Sequence, residues 1–123
     1  MIGLVPAIRR GDLFWAELDP ARGSEINKTR PVVIVSNNGV NTAAHRSGRG
    51  VVTVVPVTSN TARVYPFQVL IEAADHPGLR IDSKALVEQA RTLDVSRIGR
   101  RITALSPLTM RALDAALRLH LAL

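Results

Sequence analysis

Two nearly continuous runs of valine and other β-branched residues constrain the fold of this chain more than any other feature. Pro31 to Ser36 and Gly50 to Thr58 are both rich in valine, and such runs favour β-strands because branched side chains pack well on a pleated surface. Pro31 to Ser36 is continuously β-branched, so we predict a strand there that is buried on both faces. Pro56 cannot donate to a strand ladder, and we expect it at an edge, a bulge or a strand end.

Other segments predict further strands around these two and at least one helix. Ser106 followed by Pro107 is a helix-start signal, and the apolar spacing of the next residues predicts a helix over Leu108 to Leu121. The fold class predicted is mainly β with helices, as one curled antiparallel sheet closed by a C-terminal helix. Additional strands are predicted at Asp12 to Leu18, Pro66 to Glu72, Ala85 to Arg91 and Gly99 to Leu105, and a short helical turn around Val40 to His45.

Size and composition narrow the class of protein. A chain of 123 residues suits a single domain spanning residues 1–123, with residues 1–9 as a loosely ordered segment. The net charge is +6, and 14 of the 16 cations are arginine, which favours an acidic partner such as nucleic acid. With no cysteine, no signal-peptide pattern and no apolar run of about 20 residues, we expect a soluble cytoplasmic protein without membrane contact.

The candidate chemistry begins where a polar loop enters the first valine-rich run. Pro31 restricts the residue before it to extended geometry, so Arg30 is held at the mouth of a strand, where its guanidinium suits phosphate oxygens. Thr58 and Ser59, at the end of the second run, can donate to a phosphate oxygen, although with Asn60 they could equally form only a turn. The three histidines lie far apart in the sequence, and no metal or other cofactor is predicted.

The order of several short blocks resembles the MazF/PemK toxin family. They are Gly11–Trp15, Leu18–Glu25, Arg30–Ser36, Val55–Ser59, Tyr65–Phe67, Asp82–Ser83 and Gln89, which together extend from about residue 9 to the C-terminus. The resemblance implies an SH3-like, strongly curved β-barrel that works as a homodimer. It also implies a sequence-specific, ribosome-independent endoribonuclease that cuts single-stranded RNA without metal. Such cleavage leaves a 2′,3′-cyclic phosphate and a 5′-hydroxyl.

Carried over residue by residue, the resemblance assigns the site. It makes Arg30 and Thr58 the catalytic residues, Glu25 the acidic residue of the first loop, and Gln89 a glutamine near the substrate groove. From the residues themselves we favour charge stabilisation over proton abstraction for Arg30. His45 could be a general base, a spectator or a contact to a base. The predicted RNA-binding set is Glu25, Asn27, Lys28, Ser36, His45, Arg46, Ser59, Asn60 and Gln89.

The resemblance also predicts partners. A cognate antitoxin should bind through an acidic C-terminal tail, and DNA should be contacted only indirectly, through that antitoxin. Two other functions remain open from the sequence: a non-enzymatic toxin of the same barrel fold that poisons gyrase, and an SH3-like module that binds nucleic acid without cutting it. A peptide-binding barrel is disfavoured because the chain has few aromatic residues.

Overall fold

A computed structural model describes residues 7–19 and 28–123 of the chain. This part contains seven strands, two α-helices and three short 3₁₀ turns. The strands are β1 (Asp12–Asp19), β2 (Lys28–Ile34), β3 (Val51–Thr58), β4 (Val69–Ile71), β5 (Ser83–Ala85), β6 (Arg91–Asp94) and β7 (Ile98–Ala104). The helices are α1 (Asn38–Ser47) and α2 (Pro107–Leu121), and the 3₁₀ turns are Ala73–Asp75, Val87–Gln89 and Val95–Arg97.

All the strands belong to one antiparallel sheet with β3 near its centre. The order is β4-β5-β3-β2-β1-β7, and β6 pairs with β3 outside this path. On one side β3 pairs with β2; on the other its first half pairs with β6 and its last two residues with β5. Pro56 lies in the interval between β6 and β5, where its missing N–H breaks no ladder. Its carbonyl accepts from the Leu86 N–H at 2.8 Å.

The sheet curls because the connection between β4 and β5 folds onto β7 and the start of α2. In this connection His76 is fully buried, and its Nε2 accepts from the backbone N–H of Ser106, the N-cap residue of α2, at 3.1 Å. Gly78 has a φ of +100°, and a Cβ built there would lie 2.5 Å from the Ile102 carbonyl oxygen. Glycine is therefore needed where the two ends of the sheet approach each other.

Two apolar clusters fill the two sides of the sheet. Alternation along β3 sends Val52 and Val54 into the first cluster and Val55 and Val57 into the second. Helix α1 covers the first cluster through Ala44, whereas α2 covers the second through Leu113 and Ala116. In β2, Val32 and Ile34 pack in the first cluster and Val33 in the second, so this strand is buried on both faces, as predicted for Pro31 to Ser36.

The structure confirms the predicted fold class, a mainly β chain with a curled antiparallel sheet and a C-terminal helix that begins after Ser106. Three local predictions differ. The strand predicted at Pro66 to Glu72 is only Val69–Ile71, the segment Ala85 to Arg91 is largely a 3₁₀ turn, and α1 is a full helix of 10 residues. Helix α1 is longer than expected because Asn37 caps its first turn and Gly48, in the left-handed region, ends it.

The N-terminal segment is described from residue 7 onward. Residues 1–6 lie outside the described part, while Ile8, in the segment predicted to be loosely ordered, is 3% exposed and packs in the first cluster. None of the described helices is long and apolar enough to cross a bilayer.

Candidate active site

The antiparallel pairing of β2 with β3 places Arg30 across from Thr58. Val32 of β2 pairs with Pro56 of β3. Because the two strands are antiparallel, continuing this register by two residues brings Arg30 opposite Thr58. On its other side Arg30 pairs with Ala16 of β1. Two residues separated by 28 positions in the sequence are therefore neighbours at one end of the sheet.

The guanidinium of Arg30 is exposed at this end. Among the described residues no hydrogen bond or ion pair occupies it, so its five donors are available to a ligand. Its backbone is fixed by the β1–β2 ladder and by Pro31 directly after it. A preformed backbone with an uncommitted guanidinium suits a phosphate site, since little ordering remains to be done on binding.

Thr58 is half-buried, and its hydroxyl is oriented by the turn that follows it. The Asn60 N–H donates to Thr58 Oγ1 at 3.2 Å, and the Ala62 N–H donates to Asn60 Oδ1 at 3.3 Å. The turn that the sequence left open thus exists, and Asn60 helps to build it. Because Thr58 Oγ1 acts here as an acceptor, its own hydroxyl proton remains free to donate to a ligand.

Two cavities meet at this pair of residues. Arg30, Val57 and Thr58 line both, one of about 560 Å³ and one of about 370 Å³. The described lining contains no carboxylate and no imidazole, so the potential inside is dominated by arginine. The further polar residues are Thr29, Ser59, Arg80, Ser83 and Arg100 in the larger cavity and Gln89 and Arg91 in the smaller one.

Three of these arginines were missed by sequence reasoning. Arg80 and Arg100 have no ion pair among the described residues, and Arg91 donates from Nη2 to the Leu18 carbonyl at 3.3 Å. Arg80 reaches the site through the β4–β5 connection and Arg100 through β7, which lie far from Arg30 in sequence. The overall arginine excess was the only sequence signal for them, since nothing local distinguishes them from other surface arginines.

Other predicted RNA-binding residues lie at the opposite end of β2. Ser36 donates from Oγ to Asn41 Oδ1 at 2.5 Å and accepts from the Thr53 N–H at 3.1 Å, so its hydroxyl joins β2 to α1 and β3. His45 and Arg46 occupy the last turn of α1, beyond Ser36. None of these three predicted residues lines the two cavities that contain Arg30.

The predicted residues of the first loop cannot be placed in the same way. Glu25 and Asn27 lie outside the described residues, and Lys28 is described only as the first backbone position of β2. Ser59 and Gln89, by contrast, join Arg30 and Thr58, each in one of the two cavities. Within residues 7–19 and 28–123 no group of three or more His, Asp or Glu side chains could hold a metal ion.

The chain is thus a small β protein with a curled antiparallel sheet. Arg30 and Thr58 lie where its two cationic cavities meet, and this site is suited to phosphate. Comparison with known proteins gives the family. The model for PemK-like, MazF-like toxins of type II toxin–antitoxin systems matches residues 9–121, and the chain belongs to this family.

Individual relatives agree with the family assignment. The chain is 54% identical over 114 residues to "Endoribonuclease MazF9" of Mycobacterium tuberculosis, an alignment that covers 93% of this chain and 96% of the relative. It is 52% identical over 73 residues to "Probable endoribonuclease MazF1" of the same organism, covering 59% and 78% of the two chains.

Solved structures share the fold. M. tuberculosis toxin MazF-mt6 superposes with a TM-score of 0.71 at 28% identity, covering 91% of this chain and 97% of that one. A mycobacterial endoribonuclease in complex with its cognate antitoxin gives 0.69 at 27% identity, covering 94% and 95%. A MazE–MazF complex from Deinococcus radiodurans gives 0.74 at 25% identity, covering 96% and 98%.

Proposed function

We propose that this chain is a toxin endoribonuclease that cuts single-stranded RNA at the meeting point of the two cavities, without a metal ion. One observation carries the proposal: Arg30 and Thr58 face the same space from adjacent strands, and the described lining of that space contains no acid. The arginines of this lining attract a polyanion. An RNA strand can occupy both cavities, with the scissile phosphate between them.

The chemistry available to these residues is attack by the RNA's own 2′-hydroxyl. The 2′-oxygen forms a bond to phosphorus, the bond from phosphorus to the 5′-oxygen breaks, and the products are a 2′,3′-cyclic phosphate and a 5′-hydroxyl. Arg30 would neutralise the charge that develops on the non-bridging oxygens, and the free hydroxyl proton of Thr58 would donate to one of them. Alignment of the reacting atoms supplies the remaining part of the acceleration.

Two protons must move during this reaction. The 2′-hydroxyl loses one, and the departing 5′-oxygen gains one. The described lining offers hydroxyl, amide and guanidinium groups but no carboxylate. Glu25 lies outside the described residues, and the family resemblance proposes it as the acidic residue of this site. Gln89 would orient the strand in the smaller cavity.

The decisive test is incubation of the purified chain with a long single-stranded RNA in excess chelator, followed by chemical mapping of the ends. We expect cleavage at a short recurring sequence with cyclic phosphate and 5′-hydroxyl ends, and none from an Arg30→Ala preparation purified in parallel. Products with 5′-phosphates, or cleavage that appears only when a divalent ion is added, contradict the proposed chemistry. Tight RNA binding without any cleavage would favour the nucleic-acid-binding module instead.

The antitoxin is proposed to act by occluding the same site. Cavities lined by arginine attract an acidic, disordered segment, which can fold along the groove and displace RNA. We therefore expect a neighbouring reading frame that encodes a small protein with an acidic C-terminal tail, which also mediates any contact with DNA. Expression of this chain alone in the cytoplasm should arrest the growth of the host cells, and co-expression of the neighbouring protein should restore growth. A neighbour that binds while RNA cleavage continues contradicts occlusion.

The proposed assembly is a homodimer. Helix α2 buries Leu113 and Ala116, yet it leaves Leu108, Leu119 and Leu121 exposed on other faces. A helix that is apolar on more than one face needs a second covering surface. Light scattering at micromolar concentration should give twice the 13.3 kDa mass of the chain, and a fully active monomer would contradict this assembly.

A further inference from the structure

The two rings of Tyr65 and Phe67 stack on each other in the loop that follows Thr58. Their centroids are 5.4 Å apart and their planes differ by 1°. The stack forms because residues 65–68 make a tight turn with Pro66 at its second position, closed by a hydrogen bond of 2.8 Å from the Gln68 N–H to the Tyr65 carbonyl. Tyr65 remains 42% exposed, so much of its ring is open to solvent.

Two cations lie beside the Tyr65 ring. The Arg63 Cζ is 5.7 Å from the ring centroid, and Arg63 Nη1 donates to the Tyr65 hydroxyl at 3.1 Å. The Lys84 Nζ is 6.0 Å from the same centroid. A partly exposed aromatic ring with two cations within 6.0 Å of its centroid suits a nucleotide, because the ring can stack on the base while the cations attract the phosphate.

The loop that carries the rings is held in place by its neighbours. Lys84 Nζ donates to the Arg63 carbonyl at 2.5 Å, and the Tyr65 N–H donates to Gln68 Oε1 at 3.1 Å. Gln68, itself buried, donates from Nε2 to Glu88 Oε2 at 2.7 Å. These hydrogen bonds connect the loop with Glu88, which directly precedes Gln89 of the smaller cavity.

Lys84 connects the stacked rings with the strand that carries Thr58. Lys84 pairs with Thr58 across the β3–β5 ladder, so the cation beside the Tyr65 ring is anchored opposite the proposed catalytic threonine. A strand of RNA that places its scissile phosphate at Arg30 and Thr58 has its neighbouring nucleotides within reach of Tyr65.

We propose that Tyr65, supported by Phe67 and bordered by Arg63 and Lys84, is a stacking subsite for a nucleobase near the cleaved bond. The inference rests on the proposed function and extends it, since it assigns a base-binding role to a segment outside the two cavities. Four aromatic residues are too few for an extended stacking platform, but two of them stacked at one place suffice for a single base.

The first test is kinetic. On the shortest RNA that the wild-type chain cuts, Tyr65→Ala should lower kcat/KM by about 5- to 150-fold, the range of one lost base–aromatic stack. The loss should appear mainly in KM, because stacking holds the ground state and the transition state alike. Tyr65→Phe keeps the ring and should stay within about threefold of wild type. Val64→Ala, at the adjacent exposed position, is the matched control and should change nothing.

The second test locates the base. Each nucleotide near the cut is replaced in turn by an abasic one. At one position this replacement should lower kcat/KM by the same factor as Tyr65→Ala. The two losses should not add when combined, because both remove the same contact. Equal kcat/KM for wild type and Tyr65→Ala, or additive losses at every position, would overturn the subsite while leaving the nuclease proposal intact.

A third measurement does not depend on cleavage. A single-stranded oligonucleotide carrying 2-aminopurine, scanned through the sequence, should show quenching on binding to Arg30→Ala protein, and much less on binding to the double variant with Tyr65→Ala. If the wild-type chain cuts no RNA, the proposed function fails, yet this quenching can still establish the subsite. If Tyr65→Ala instead leaves quenching unchanged and weakens only the acidic antitoxin tail, the surface binds protein and the proposal is wrong.

Discussion

Replacement of Arg30 separates catalysis from stability more cleanly than any other change in this chain. Its side chain is exposed and has no ion pair or hydrogen bond among the described residues, while its backbone is held by the ladder with Ala16. Arg30→Ala therefore removes no packing, and the free energy of unfolding should change by less than about 0.5 kcal/mol. The matched control is Arg111→Ala, an exposed arginine on α2 that lowers the net charge equally.

The expected kinetic effect is large. A preorganised donor to a developing oxyanion contributes roughly 10²–10³ in rate, or about 2.7–4 kcal/mol of barrier. Arg30→Ala should therefore lower kcat for a fixed oligonucleotide by at least this factor, and Arg30→Lys should recover little because an ammonium lacks the planar fork. Arg111→Ala should reduce kcat/KM only through weaker long-range attraction, an effect that disappears as salt is raised.

The measurement is single-turnover cleavage at saturating enzyme, with urea unfolding of each variant in parallel. Loss of activity in Arg30→Ala at unchanged unfolding free energy supports a direct role in catalysis. Equal losses in Arg30→Ala and Arg111→Ala would refute the reasoning, because they would reduce the role of Arg30 to its share of net charge. Full activity of Arg30→Lys would refute the role of the fork geometry.

Three further predictions concern the fold. Leu113→Ala should lower the free energy of unfolding in urea by about 2–5 kcal/mol, because this side chain is 0% exposed, whereas Leu108→Ala, at a position 73% exposed, should change it little. Gly78→Ala should destabilise the chain by more than about 1 kcal/mol in the same assay, since its Cβ would meet the Ile102 carbonyl and its φ is positive. The pKa of Asp94 lies below its ordinary 3.8 because a hydroxyl and a backbone N–H two residues later donate to it. The ionised Asp94 therefore stabilises the folded state above pH 3.8, and this stabilisation is lost as the pH falls through the lower pKa of the folded state. Asp94→Asn should make the loss of folding stability with falling pH less steep.

Much of the fold was accessible from the sequence because it depends on local preferences. The valine-rich runs identify β2 and β3, and the Ser106–Pro107 pair marks the start of α2. The segment Ala85 to Arg91 failed as a strand because its apolar residues pack through a 3₁₀ turn, in which Val87 is buried while Gln89 is exposed. Such a turn has the composition of a strand, and only its packing against the second cluster distinguishes the two.

Part of the candidate site was also accessible from the sequence, and part depended on the tertiary structure. Arg30, Thr58, Ser59 and Gln89 stand out in the sequence by their blocks, and the structure brings all four to the two cavities. Nothing in the residue pattern separated Ser36 and the end of α1 from this group. The direction of β2 places them at the other end of the sheet.

By itself the sequence determined the long strands β1, β2, β3 and β7 and the start of α2, that the chain is cationic, and which family it resembles. Tertiary structure alone decided which arginines share a cavity, that Tyr65 and Phe67 stack on each other, and that a buried histidine joins the sheet to α2. The physical reason is that strand formation depends on nearby residues, whereas cavities and ring contacts depend on the curl of the sheet. That curl is set by long-range pairing and by close approaches such as that of Gly78 to Ile102.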